Sequence, residues 1–141
     1  MEGLTYVLDT NVIADRMNAR EPVSQRLTVA VQTGHRVCLC QPVYYEVMRG
    51  LLKTNATRKL HLFQTTIVPL LTWVSLTDDD WRQAAQFWAN AVNAGKQLAD
   101  TDLLIAAIAK RVDGVVVTDD GDFDALPIRR ENWRVPVSGE A

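Results

Sequence analysis

Four stretches of this sequence set acidic residues beside apolar runs. Asp9 follows Leu4, Tyr6, Val7 and Leu8; Glu46 sits among Val43, Val47 and Leu51. Asp100 and Asp102 precede Leu103-Leu104-Ile105-Ala106-Ala107-Ile108-Ala109, and Asp119, Asp120, Asp122 and Asp124 follow Val115-Val116-Val117-Thr118. Singly, each acid has a plain structural use. Asp9, Asn11 or Asp100 can cap a helix, Asp102 suits the positive end of a helix dipole, Glu46 can face solvent, and the late aspartates can make a turn. Jointly they have another use if the chain brings them together. Crowded carboxylates raise one another's pKa and cannot all stay ionised without cations. Divalent metal resolves the conflict, and oxygen-only ligands select hard ions such as Mg²⁺ or Mn²⁺ over zinc. Two such ions about 3.5–4 Å apart would activate a water and stabilise the leaving oxygen in an in-line attack on a phosphodiester.

The elements that must position these acids follow from hydrophobic period and turn signals. Leu4 to Leu8 reads as a buried strand ending at Asp9, and residues 11–18 as a short helix. Glu21-Pro22 opens a second helix to about Thr33, with Gly34 as its stop. His35 to Cys40 is a strand broken by Gln41-Pro42. Val43 to Leu52 is a helix with Val43, Val47 and Leu51 on one stripe and Tyr44 and Met48 beside it. Residues 57–71 are helical, with Pro69 near the end, and Trp73 to Leu76 is a short strand. Thr77 or Asp78 caps a helix over Asp79 to Asn93, where Trp81, Ala84, Ala85, Trp88, Ala91 and Val92 share a face. That face reads as a core stripe, with a dimer surface as the alternative. The run from Leu103 to Ala109 is apolar all round, which predicts a buried, central helix. Val115 to Thr118 has the β-branched character of a strand covered on both faces, and Trp133-Arg134-Val135-Pro136-Val137 reads as a last edge strand. Alternating strands and helices predict a parallel α/β sandwich. Ligands of such sheets gather at the carboxyl ends of the strands, where Asp9 and the late aspartates stand.

Composition narrows the partners. The 141 residues fit one domain spanning 1–141, and 48% hydrophobic with 23% charged residues excludes a disordered or fibrous chain. No apolar run approaches the roughly 18 residues of a membrane span, and no signal-peptide pattern opens the chain, so a cytoplasmic protein without a membrane partner is expected. Cys38 and Cys40 stand at i, i+2 on one face of a strand and read as buried thiols in a reducing compartment. Together with His35 and His61 they have no zinc spacing. The formal net charge of -2 argues against a simple basic patch for nucleic acid. Bound metal would supply the missing positive charge. Arg16, Arg20, Arg49, Lys96, Arg129 and Arg130 are candidate phosphate contacts, each more simply read as a solvated surface charge.

With these residues assembled, the chain resembles the PIN-domain nucleases, and among them the VapC-type toxins of bacterial toxin–antitoxin pairs. The resemblance covers nearly the whole chain: Leu8-Asp9-Thr10-Asn11, then Glu46 followed by Arg49-Gly50, then Asp102-Leu103-Leu104-Ile105-Ala106-Ala107, then Val117-Thr118-Asp119-Asp120-Gly121-Asp122-Phe123. It implies a three-layer α/β sandwich with a central parallel sheet in the strand order 3-2-1-4-5. It also implies that Asp9, Glu46, Asp102 and Asp120 are the catalytic, metal-holding carboxylates. Asp102 is preferred to Asp100 because it directly precedes the Leu-Leu-Ile-Ala-Ala run. Asp100 and Asp122 are auxiliary candidates, and Thr10, Asn11 and Thr118 match positions that support the site by hydrogen bonding. The implied activity is endoribonucleolytic hydrolysis with one or two Mg²⁺ or Mn²⁺ ions, leaving a 3′ hydroxyl and a 5′ phosphate. The implied partners are an RNA substrate, a cognate antitoxin and a second copy of the chain, with Tyr44, Tyr45, Met48, Trp81 and Trp88 as the surfaces for them. The alternatives are a housekeeping PIN nuclease and a catalytically silent PIN-like interaction module, the latter expected to lack the carboxylates. A phosphatase using Asp9 as a covalent nucleophile would want a second aspartate two positions later, where this chain has Asn11.

Overall fold

The structure, a computed structural model, describes residues 3–135. Five strands, β1 (Thr5–Leu8), β2 (Arg36–Cys40), β3 (Thr72–Val74), β4 (Val115–Val117) and β5 (Arg129–Glu131), form one sheet in the order β3-β2-β1-β4-β5. All neighbouring pairs are parallel, with Val7 opposite Cys38 on one side and Val116 on the other. The α/β fold and strand order expected from the sequence are those observed. After β1 the chain builds outward through β2 and β3, then returns to place β4 on the other side of β1. The carboxyl ends of β1 and β4 therefore flank the point where strand order reverses, the usual place for a ligand.

The helices are α1 (Thr10–Met17), α2 (Val23–Gln32), α3 (Gln41–Lys53), α4 (Thr57–Leu62), α5 (Val68–Leu70), α6 (Asp78–Asn93) and α7 (Asp100–Arg111). A π-helical turn, Phe63–Ile67, joins α4 to α5 and buries Phe63 and Ile67, so the helical stretch from 57 to 70 is continuous but not uniform. α7 lies against β1 and β4 while α3 packs on β2. Every residue from Leu103 to Ala109 in α7 is buried, as its unbroken apolar run predicts. Gly114 makes the return into β4 tight: a Cβ there would stand 3.1 Å from Val7 Cγ2 and 3.2 Å from Val112 Cγ2. Cys38 and Cys40 are buried free thiols, and burial pushes Cys40 up to about 12.

Three sequence expectations are corrected. The last strand is Arg129–Glu131, whereas Trp133 to Val135 form turn and bend, with Pro136 and Val137 outside the described residues. Trp133 is instead a core residue, 3% exposed and packed edge-on against Tyr6. α6 buries Asp80, Ala84, Phe87 and Ala91, leaving Trp81 57% and Trp88 50% exposed. The helix is turned because Asp80 is drawn inward by Arg111 and by a capping box with Thr77, and Phe87 follows it into the core. Ala99, not Asp100, holds the N-cap position of α7, and it offers no side-chain cap. No helix among the described residues is long and apolar enough to cross a membrane.

Candidate active site

Asp9 leaves β1 with an extended backbone and caps α1, its Oδ1 accepting the Thr10 N–H at 2.8 Å. Capping uses only one of its oxygens. Oδ2 accepts from Thr118 Oγ1 at 2.7 Å and from Asn11 Nδ2 at 3.2 Å. The Thr118 hydroxyl also accepts from Asn11 Nδ2 at 3.1 Å and from the Asp120 N–H at 3.0 Å. One donor and two acceptor sites exhaust a hydroxyl, so this 1%-exposed threonine ties the ends of β1 and β4 together. Asp120 Oδ1 then accepts the Asp122 N–H at 2.9 Å and starts a short 3₁₀ turn over Gly121–Ala125.

Glu46 enters from α3. Its Oε1 accepts from Thr10 Oγ1 at 2.8 Å, and its Oε2 from Thr101 Oγ1 at 3.3 Å and Arg49 Nη2 at 3.4 Å. Neighbouring hydroxyls on α1 and α7 thus aim this carboxylate. Asp102 stands in the first turn of α7, and oxygens of Asp102, Asp120 and Asp122 all lie within 4.8 Å of one another. Asp100 lies outside that trio and lines an adjoining groove of about 730 Å³ with Gln41, Tyr45, Trp81 and Trp88.

The electrostatics of the cluster are unfavourable as they stand. Burial, and then the charges of Asp9, Asp120, Glu46 and Asp122, push the Asp102 carboxyl up to about 7. Burial also raises Asp9, partly offset by its bonds from Thr118 and Thr10. Among the described residues, no arginine or lysine pairs with Asp9, Asp102, Asp120 or Asp122. An all-oxygen donor set, partly withdrawn from water and without a basic partner, fits a hard divalent cation. Such an acidic cluster can bind metal.

The fold brings Asp9, Glu46, Asp102, Asp120 and Asp122, the acids expected from the sequence, to one sheet edge, with Thr10, Asn11 and Thr118 bonding to Asp9 and Glu46. Thr101 was not among the expected residues, because its bond to Glu46 spans 55 positions and leaves no local pattern. Arg20, Arg49, Arg129 and Arg130 are each held in an ion pair, with Asp15, Glu46, Asp113 and Asp124 respectively.

Comparison with known proteins agrees with the fold. The family described as PIN domain matches residues 6–128. Ribonuclease VapC11 of Mycobacterium tuberculosis is 32% identical over 93 residues, covering 64% of this chain and 66% of that protein, just under two thirds of its length. The DNA-bound VapBC of Salmonella typhimurium superposes with a TM-score of 0.82 at 25% identity, over 92% of this chain and 98% of the other. VapBC-5 of Mycobacterium tuberculosis, a member of the VapBC family of toxin–antitoxin systems, shares the fold with a TM-score of 0.64 at 23% identity, over 90% of this chain and 95% of the other.

Proposed function

The chain belongs to the PIN-domain family, and we propose that it is a metal-dependent endoribonuclease, the toxin of a toxin–antitoxin pair. One observation carries this reading: five carboxylates gather on one sheet edge, Asp9 held by Asn11 and Thr118 and Glu46 by Thr10 and Thr101, while among the described residues Asp9, Asp102, Asp120 and Asp122 have no basic partner. The ribonuclease name of the Mycobacterium tuberculosis relative supports RNA as substrate, and the VapBC likeness supports an antitoxin partner.

Asp9, Glu46, Asp102 and Asp120 are the proposed ligands of Mg²⁺ or Mn²⁺, with Asp122 auxiliary. When bound, the cation supplies Lewis-acid charge for the phosphoryl group and a lowered pKa for attacking water. The protein's own part is positional. Thr118 and Asn11 orient Asp9, Thr10 and Thr101 orient Glu46, and Asp102, whose carboxyl is pushed up to about 7 by burial and the neighbouring acids, would hold the cation in its ionised form. The carboxylates act as ligands, not nucleophiles: water attacks phosphorus and the bond from phosphorus to the 3′ oxygen breaks, leaving a 3′ hydroxyl and a 5′ phosphate. Tyr45, Trp81 and Trp88, all exposed beside the site, are the proposed surface for a second copy or the antitoxin.

The test is cleavage of total RNA by partner-free protein with Mg²⁺ or Mn²⁺, with EDTA and Asp9→Asn as controls and fragment ends read directly. Cuts bearing 5′ phosphates that vanish in both controls are expected. Cutting that survives EDTA or Asp9→Asn overturns the proposal, and a folded, metal-loaded protein that leaves RNA intact points to the silent interaction module.

A further inference from the structure

Asp15 on α1 is 2% exposed and would be a costly charge to bury alone. It is satisfied from the far end of the chain: Arg134 Nε donates to Oδ2 at 2.7 Å and Nη2 to Oδ1 at 3.0 Å. The same guanidinium reaches further, its Nη1 donating to Asp119, the residue before Asp120. One planar fork therefore joins three segments: the helix that begins after Asp9, the loop that carries Asp120 and Asp122, and the C-terminal stretch. Arginine suits this task because its donors lie in a fixed plane and can serve two carboxylates at once.

Arg134 is itself firmly placed. Its N–H donates to Asn132 Oδ1 at 2.9 Å, and its neighbour Trp133 is buried against Tyr6, with its indole N–H on Glu131 at 3.0 Å. Beyond it, Arg26 donates to the Val135 carbonyl at 3.0 Å. The loop is held at its other end by Arg130, which grips Asp124 with Nε and Nη2 at 2.9 and 3.0 Å and the Thr118 carbonyl at 3.3 Å. Two arginines thus take the flanking acids, Asp119 and Asp124, while Asp120 and Asp122 face Asp102.

We propose that Arg134 is a positioning residue: by gripping Asp15 and Asp119 together it fixes Asp120 and Asp122 against Asp9 and Asp102, so the C-terminal segment clamps the cation site. The clamp rests on the proposed metal site. It does not touch substrate, and it acts through Asp119. Without it, Asp119 becomes a free carboxylate beside Asp120, and the loop loses its tie to α1.

The measurement is Mn²⁺ affinity by calorimetry, in the full chain, for wild type and for Arg134→Met combined with Asp15→Asn. The paired change avoids leaving a charged Asp15 buried with only the 3.8 Å contact from Arg20. Expected is about 10-fold weaker Mn²⁺ binding, the usual scale for groups that orient metal ligands, with circular dichroism unchanged. Arg134→Lys, a point charge that cannot fork two acids, should fall between. A matched control, Arg111→Met with Asp80→Asn, removes another buried pair remote in sequence from the loop and should leave Mn²⁺ affinity at the wild-type value. Equal affinity in wild type and the folded Arg134 variant overturns the clamp alone, as does an equal loss in the Arg111 control. A wild-type protein that binds no Mn²⁺ overturns the metal site and the clamp with it.

Discussion

Asp80 and Asp102 occupy the first turns of two helices, α6 and α7, that pack along each other, yet they meet opposite fates. Asp80 is 1% exposed, and burial alone would raise its pKa. Arg111 bonds it with Nε and Nη2 at 2.9 Å, and with Thr77 it holds the carboxyl below the ordinary carboxylate value. Asp102 is less buried but has no cationic partner among the described residues, and burial and four neighbouring acids push it up to about 7. α7 carries both halves of the contrast, with Asp102 at its start and Arg111 at its end. Among the described residues, arginines pair with Asp15, Asp80 and Asp124 and none pairs with the trio of Asp102, Asp120 and Asp122. An acidic cluster left unpaired in this way could bind a metal ion.

Asp102→Asn should break the contrast hardest. It removes one ligand charge at nearly constant shape, so RNA cleavage should fall by about 10²–10³-fold or more while the thermal unfolding profile stays cooperative. Cleavage within a few-fold of wild type would move the role to Asp100. The mirror experiment acts on the other carboxylate. Arg111→Met leaves Asp80 buried without its cation and should cost about 2–3 kcal/mol in urea unfolding, with cleavage per folded molecule unchanged. An unchanged unfolding midpoint would show that Asp80 is held by Thr77 alone.

How these acids were read from sequence follows the same division. Asp9, Asp102 and Asp120 were legible because each adjoins a strand or a wholly apolar helix whose direction is written in local pattern, and a parallel sheet gathers those ends. The β1 and β4 runs and the Leu103–Ala109 helix were legible for the same reason. The choice between Asp120 and Asp122 was not, because spacing in a turn does not say where two side chains two residues apart will point; the fold sets both in the trio. The orientation of α6 was hidden because two adjacent stripes both carry apolar residues. The stripe with Asp80 is the buried one, and part of what holds it inward is Arg111, 31 positions away. Arg134 lies 119 positions from Asp15, a pairing that no window of the sequence displays.

The finest test of the contrast is the pH dependence of metal-free stability. The Asp102 pKa in the folded protein, about 7, lies above its ordinary value of 3.8. Between those values the folded chain holds a proton that the unfolded chain has released, so the contribution is full below pH 3.8 and is lost as pH rises through 7. Asp80 has the opposite sign: its folded pKa is depressed, so its contribution is present above the ordinary carboxylate pKa and lost as acid protonates it. In EDTA, wild-type protein should therefore be less stable at pH 8 than at pH 5.5. Asp102→Asn should flatten that slope and raise stability at pH 8, because screening by water at this half-open site still leaves about 1–2 kcal/mol of repulsion to relieve. Saturating Mn²⁺ should stabilise wild type at pH 8 more than the variant, reversing their order. If wild type and Asp102→Asn melt alike in EDTA at both pH values, the acids around Asp102 do not repel one another enough to call for a cation, and the contrast with Asp80 loses its electrostatic basis.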